Sequence, residues 1–262
     1  MEAMKKKPVL ITVDGRQIEA PEETNLLSHL LDAGLDIPNL CYHEAVRPYG
    51  ACRLCLVEVN QKGWKPEWRK LTTSCNFPVL DGLTVYTDSD KVLRHRRLVA
   101  ELLLARAPEA GVVRDIAAKL GVEDTRVRMQ KGEMCILCGL CARVCAEVIG
   151  ANALTFRGRG GRKDIGTAFV EASESCIGCG ACEAVCPTGA VRIEDRGLKR
   201  TLVRWSTEHE FVPCRVCGKP VGTRRQIEML REKIRIEEDI FVTCPDCKRQ
   251  RYAEQIVAEG HM

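Results

Sequence analysis

Aromatic residues make up only 5% of the 262-residue sequence, which argues against a surface on which nucleic-acid bases stack in series. Long apolar runs are missing as well. No stretch approaches the ~18 apolar residues that a membrane-spanning helix requires. The opening "MEAMKKKPVLITVDG" follows its positive charges with a short apolar run that ends before Asp14. That run is too short for a signal peptide, and no small-residue cleavage site follows it. Glycine-rich dinucleotide loops and catalytic triads are absent too. These absences predict a soluble, cytoplasmic chain with no membrane contact, no nucleic-acid partner and no catalytic residue of its own.

Cysteine, in contrast, is abundant, at sixteen residues. In a reducing compartment, thiols in C-x-x-C groups serve metal binding more readily than disulfides. The formal charge of +4 counts each of them as a neutral thiol. Ligation deprotonates thiols, and four thiolates around a core or ion of charge +2 leave about −2 per site. Four such sites would make the chain acidic, so its basic balance is no sign of a nucleic-acid partner.

At this length two or more structural units are expected, and the pattern predicts an α+β chain. Residues 8–20, "PVLITVDGRQIEA", read as a hairpin turning at Asp14-Gly15. "PEETNLLSHLLDAGLD" reads as a helix capped by Thr24 or Asn25, with Leu26, Leu27, Leu30 and Leu31 inward and Gly34 as its stop. A cysteine-bearing loop and the strand-like "CLVEV" and "LTVYT" complete a first domain, 1–88, suited to a β-grasp sheet. Residues 89–125 contain no cysteine and read as a connector of two helices, the second closed by Gly121. Residues 126–200 carry an internal repeat, "CILCGLCARVC" and "CIGCGACEAVCP". Residues 207–262 form a small module in which "CRVC" and "CPDC" flank the amphipathic "TRRQIEMLREKI".

The repeat carries the most specific chemistry. C-x2-C-x2-C-x3-C-P is the run of bacterial two-cluster ferredoxins, in which three thiolates hold one 4Fe-4S cube and the fourth reaches the other cube. Cys176, Cys179, Cys182, Cys186 and Pro187 match it completely; Cys135, Cys138, Cys141 and Cys145 match in spacing, with Ala146 in place of proline. Crossed fourth ligands give one cube on Cys135, Cys138, Cys141 and Cys186 and another on Cys176, Cys179, Cys182 and Cys145. Gly139, Gly178 and Gly180 let backbone N–H groups approach the sulfurs. A zinc site or a redox dithiol would not use eight cysteines in two matching runs.

Cys41, Cys52, Cys55 and Cys75 are spaced C-x10-C-x2-C-x19-C, unlike the plant-ferredoxin C-x4-C-x2-C, although four thiolates in such a setting fit a 2Fe-2S cluster. Here "PNLCYHEAVRPYGACRLCLVEV" resembles the N-terminal cluster motif of the large iron-sulfur subunit of respiratory complex I. It is equally similar to the small diaphorase subunit of NAD-reducing hydrogenases and to the N-terminal region of electron-bifurcating hydrogenases. With the repeat, the resemblance covers residues 8 to about 195. It implies a 2Fe-2S cluster on these four cysteines and an electron-transfer subunit. The implied partners are a flavin subunit handling NAD(P)H and a catalytic subunit, with a ferredoxin as a further candidate. A separate [NiFe] hydrogenase module is the first choice for that catalytic subunit, since the chain has no hydrogen-activating domain.

One departure from that family stands out. Its members usually hold another 4Fe-4S cluster in the connector, on a histidine and three cysteines. In "ELLLARAPEAGVVRDIAAKLG" the matching positions hold Ala107 and Gly111, and no cysteine lies between Cys75 and Cys135, so that cluster is expected to be absent. Electrons would then pass directly between the 2Fe-2S centre and the cubes, or each domain would serve a different neighbour.

The remaining cysteines, Cys214, Cys217, Cys244 and Cys247, form two C-x2-C pairs 26 residues apart. Paired knuckles fit a zinc-ribbon-like module with one zinc ion, the alternative being a further iron-sulfur cluster. His43 beside Cys41 is read as a surface histidine or one supporting the ligands, His29 as a helix residue, and His95 as part of a basic turn. "RGRGGRKD" is read as a glycine-rich turn rather than a nucleic-acid-binding segment. Three other readings stay open: a subunit of a formate dehydrogenase, a free multi-cluster ferredoxin, and a zinc-bearing nucleic-acid protein with structural clusters.

Overall fold

Asp14 and Gly15 take positive φ, 47° and 82°, the pair of left-handed residues that a tight two-residue hairpin requires. They join β1 (Pro8–Val13) to β2 (Arg16–Pro21) in antiparallel register, Val13 opposite Arg16. The computed structural model describes residues 7–130, 132–169, 171–235 and 238–259. The parts of the sequence-predicted domains at 1–6, 131, 170, 236–237 and 260–262 lie outside the described residues. The chain divides into two units, Met1–Leu140 with Pro187–Ala190, and Cys141–Cys186 with Val191–Met262.

In the first unit, Asn25 caps helix α1 (Leu26–Asp32) by accepting from the Ser28 N–H at 3.1 Å, and Gly34 at φ 78° lets the chain leave the helix. β3 (Leu56–Asn60), β4 (Lys70–Thr73) and β5 (Thr84–Tyr86) complete a mixed sheet of order β2-β1-β5-β3-β4, in which only β1 and β5 run parallel. Asp14 also ties the hairpin to the end of β5, accepting from Thr87 N–H at 2.8 Å and from its hydroxyl at 2.6 Å. Alternation along β1 turns Val9, Ile11 and Val13 inward, where they meet Leu26, Leu27 and Leu30 of α1 and Val57, Val59 and Val85 of the sheet. Cys55 and Cys75 belong to this same core, so two candidate ligands sit on its rim of strand ends and loops. Helices α2 (Asp90–Arg106) and α3 (Gly111–Lys119) follow, and His95 lies within α2 rather than in a turn.

Helix α4 (Leu140–Arg143) begins on the last residue of Met1–Leu140, and in the second unit it runs on into a π-helical turn, Val144–Ile149, which Gly150 ends at φ 76°. β6 (Thr155–Arg157) and β7 (Asp164–Gly166) form a hairpin, and the "RGRGGRKD" segment is the turn between them. α5 (Ala181–Ala184) carries Cys182. β8 (Ile193–Arg196), β9 (Lys199–Leu202), β10 (Thr207–Pro213) and β11 (Pro220–Thr223) make one four-stranded sheet in the order β11-β10-β9-β8. This sheet runs straight through residues 200–207, where the sequence placed the edge of its last module. α6 (Arg224–Lys233), α7 (Asp239–Val242) and α8 (Pro245–Glu259) complete the chain. Among the described residues no helix is long and apolar enough to cross a membrane.

Candidate metal centres

All sixteen cysteines carry free thiols. Cys41, Cys52, Cys55 and Cys75 are each 4% exposed or less. Their sulfurs form one connected group. Cys52 and then Cys75 donate to the Cys41 sulfur and hold that thiol down at about 2, while Cys75 holds Cys55 down at about 7. The same contacts push the protonated partners Cys52 and Cys75 up. Four convergent, water-excluded thiols are the donor set that a 2Fe-2S cluster takes, and the Cys52 N–H at 3.4 Å from Cys41 Sγ supplies a backbone hydrogen bond to one of them.

The fold secures this group from both sides. Ser74 gives its N–H and its hydroxyl to Cys55 O, each at 2.9 Å. Asn25, besides capping α1, donates its amide to Cys75 O. One side chain therefore starts a helix and pins a ligand loop fifty residues away. Asn25→Ala is expected to cost about 2–4 kcal/mol, the sum of a lost cap and an orphaned carbonyl, read by urea unfolding of the cluster-loaded chain. Asn25→Ser, which keeps the cap but is too short for Cys75, should recover only part of that loss.

In the ferredoxin-like region the π-helical turn matters. Cys145 lies within it, and its carbonyl accepts from both Ala151 and Asn152, at 3.0 and 3.4 Å. Its sulfur accepts from the Ala153 N–H at 3.3 Å. So held, Cys145 lines one hollow together with Cys176, Cys179 and Cys182, the rest of the wall being small or apolar residues and the glycines 178 and 180. Burial pushes the thiols of Cys176 and Cys182 up, the latter to about 12. Four cysteines around a hollow otherwise walled by small or apolar residues fit a cluster, whose binding must expel those protons. The last cysteine of the first run thus meets the first three of the second. Cys135 and Cys138 fall in the first unit, and Cys141 and Cys186 in the second. Around Cys135, Glu133 accepts from the Cys135 N–H at 2.8 Å, Arg106 donates to its carbonyl at 3.1 Å, and the Leu137 N–H lies 3.4 Å from its sulfur.

Sequence reasoning missed the residues that cover the Cys176–Cys182 loop. His209 on β10 places Nε2 3.3 Å from Cys176 Sγ. Arg200 donates to Gly178 O at 2.8 Å, Thr223 to Ile177 O, and Arg225 to Glu174 O. Gly178 has φ 66°, and a Cβ there would stand 2.7 Å from His209 Cδ2. Glycine is therefore required at 178 by the strand above it as well as by the backbone. Nothing local in the sequence marks His209, which lies 33 residues beyond Cys176.

The C-terminal thiols are arranged differently. Cys214, Cys217, Cys244 and Cys247 bring their sulfurs within 4.8 Å of one another, with Cys217 and Cys244 at 3.6 Å. Among the described residues no other His, Cys, Asp or Glu set is that compact. A tetrahedral ion with metal–sulfur bonds of about 2.3 Å has sulfur–sulfur edges of about 3.8 Å, whereas a cluster core must push its ligands further apart. The first knuckle joins β10 to β11, and the second lies at the start of α8; the Arg215 N–H to Val242 O bond at 2.8 Å ties them together. The Cys244 N–H donates to Cys214 Sγ at 3.3 Å and holds that thiol down at about 6.

One buried set of four thiols and a repeated four-cysteine run define an iron-sulfur protein, and the family comparisons agree. Residues 6–90 match the 2Fe-2S iron-sulfur cluster binding domain family and residues 134–190 match the 4Fe-4S dicluster domain family. Over 96% of its length the chain is 27% identical to the mitochondrial NADH-ubiquinone oxidoreductase 78 kDa subunit of Candida albicans, covering 39% of that protein. Over 58% of its length it is 34% identical to the NADPH-Fe(3+) oxidoreductase subunit alpha of Geobacter sulfurreducens, covering 20% of it. The chain thus spans under half the length of these curated relatives. The crystal structure of an NAD+-reducing [NiFe]-hydrogenase in the H2-reduced state matches 70% of this chain and 86% of its own, with TM-score 0.53 and 27% identity.

Proposed function

We propose that the chain is an electron-transfer subunit of a multi-subunit oxidoreductase in a reducing compartment. It relays electrons between a flavin subunit that handles NAD(P)H and a catalytic subunit, a [NiFe] hydrogenase module first and a formate dehydrogenase module second. The observation that carries this reading is the meeting of Cys145 with Cys176, Cys179 and Cys182 around one hollow, in a chain whose other family match holds four more buried thiols. Cys41, Cys52, Cys55 and Cys75 would hold a 2Fe-2S cluster; Cys176, Cys179, Cys182 and Cys145 one cube; and Cys135, Cys138, Cys141 and Cys186 the other. Such clusters, when bound, take up and release single electrons. The chain's own part is to supply thiolates, to exclude water by burial and to donate N–H groups to the sulfurs. The compact C-terminal set is assigned to one zinc ion, which has no redox chemistry and so holds structure only.

The isolated chain is expected neither to oxidise NADH nor to evolve hydrogen, yet to become reduced once its flavin subunit is added. Bleaching of the cluster absorbance in a stopped-flow cuvette reads this directly. Sustained turnover by the single chain would overturn the division of labour.

A further inference from the structure

His209 belongs to neither ferredoxin run, and it is buried, 7% exposed, with Nε2 3.3 Å from Cys176 Sγ. A ligating thiolate has no proton to give, so the hydrogen in that contact must be the histidine's. The ring cannot easily turn away, because its Cδ2 packs on the bare face of Gly178 and Thr223 flanks the same spot. The two strands that flank the ring's own strand are also fixed on the ligand loop, β9 through Arg200 to Gly178 O and β11 through Thr223 to Ile177 O.

We infer that His209 donates its Nε2–H to Cys176 Sγ and thereby raises the reduction potential of the cube on Cys145, Cys176, Cys179 and Cys182. The inference rests on the cube assignment made above. A hydrogen bond to a ligand sulfur stabilises the reduced cluster, which carries one more negative charge, more than the oxidised one. The residues that follow the ferredoxin runs thus act on the electron carrier as well as on the packing around it.

Potentiometric titration of the full chain, followed by EPR, tests this with His209→Leu and His209→Gln. In the leucine variant the reduction equilibrium of that one cube should fall about tenfold, 59 mV for one electron, with the other two centres unmoved. Glutamine, whose amide nitrogen can stand near the Nε2 position, should restore most of the shift. An equal midpoint in wild type and His209→Leu would overturn the role of the histidine while leaving the cube assignment intact. A wild-type chain with no cube dependent on Cys145 would instead overturn that assignment and the inference with it. A third readout needs no substitution: with 15N-labelled histidine, pulsed EPR of the reduced wild-type cube should show a nitrogen coupling. Its absence would overturn the hydrogen bond even if neither variant folds.

Discussion

Replacing Cys145 with alanine is expected to remove the cube on Cys176, Cys179 and Cys182 and to spare the one on Cys135, Cys138 and Cys141. By sequence order Cys145 belongs with the first run, yet its sulfur lines the hollow of the second. Ala153 gives that sulfur an N–H at 3.3 Å, and the π-helical turn fixes the carbonyl of the same residue. Alanine cannot ligate, so the cube should be lost outright or collapse to a three-iron form. Iron should fall from about ten per chain to about six if the cube is lost, or to about nine if a three-iron form remains. Cys186→Ser should do the reverse, damaging the cube of Cys135 and leaving that of Cys176. EPR of the reduced chain distinguishes the two cubes, and metal analysis counts the irons. Loss confined to the Cys135 cube in Cys145→Ala would show that each run holds its own cluster.

The cysteine sets were legible because ligand spacing is written along the chain. The runs from Cys135 and Cys176 can be read without a fold, as can the hairpin at Asp14-Gly15 and the cap at Asn25, since each depends on neighbours within a few residues. What could not be read depends on pairing across long separations. β10 joins β9 through Thr207 opposite Leu202, so residues 193–223 form a single sheet where composition alone put a boundary. Asn25 reaches Cys75 O, and His209 reaches Cys176 Sγ, by contacts that no periodicity announces. Gly178 shows the limit well: its backbone freedom was evident from the ferredoxin run, but its contact with His209 was not. The π-helical turn around Cys145 was equally hidden, because no local propensity marks a π-helical turn in the sequence.

Cys244→Ser is expected to release the C-terminal metal and loosen the chain around both knuckles while all three cluster signals persist. Part of this region has little apolar burial to fall back on: Cys217 is exposed, and α8 leaves Tyr252, Ile256 and Val257 largely exposed. Small zinc modules depend on their metal to fold, and with zinc at this site, as proposed, a missing fourth thiolate would break the tetrahedron joining Cys214 and Cys217 to Cys247. Cleavage by a protease near residues 214–219 and 244–248 should therefore quicken by more than about tenfold, the factor that a loss of about 1.4 kcal/mol produces when cleavage follows opening. The cube on Cys176 should survive, because its four ligands lie outside the knuckles and β10 remains paired to β9, with its own Phe211 and the preceding Trp205 buried. Metal analysis of the parent chain then decides what the loosened site had held. About ten irons and one zinc would make the C-terminal set a structural centre, so that the electron path ends at the cubes. Twelve or more irons without zinc would mean that the four sulfurs spread apart around a further cluster, and Cys244→Ser would then abolish an EPR signal instead of sparing all three.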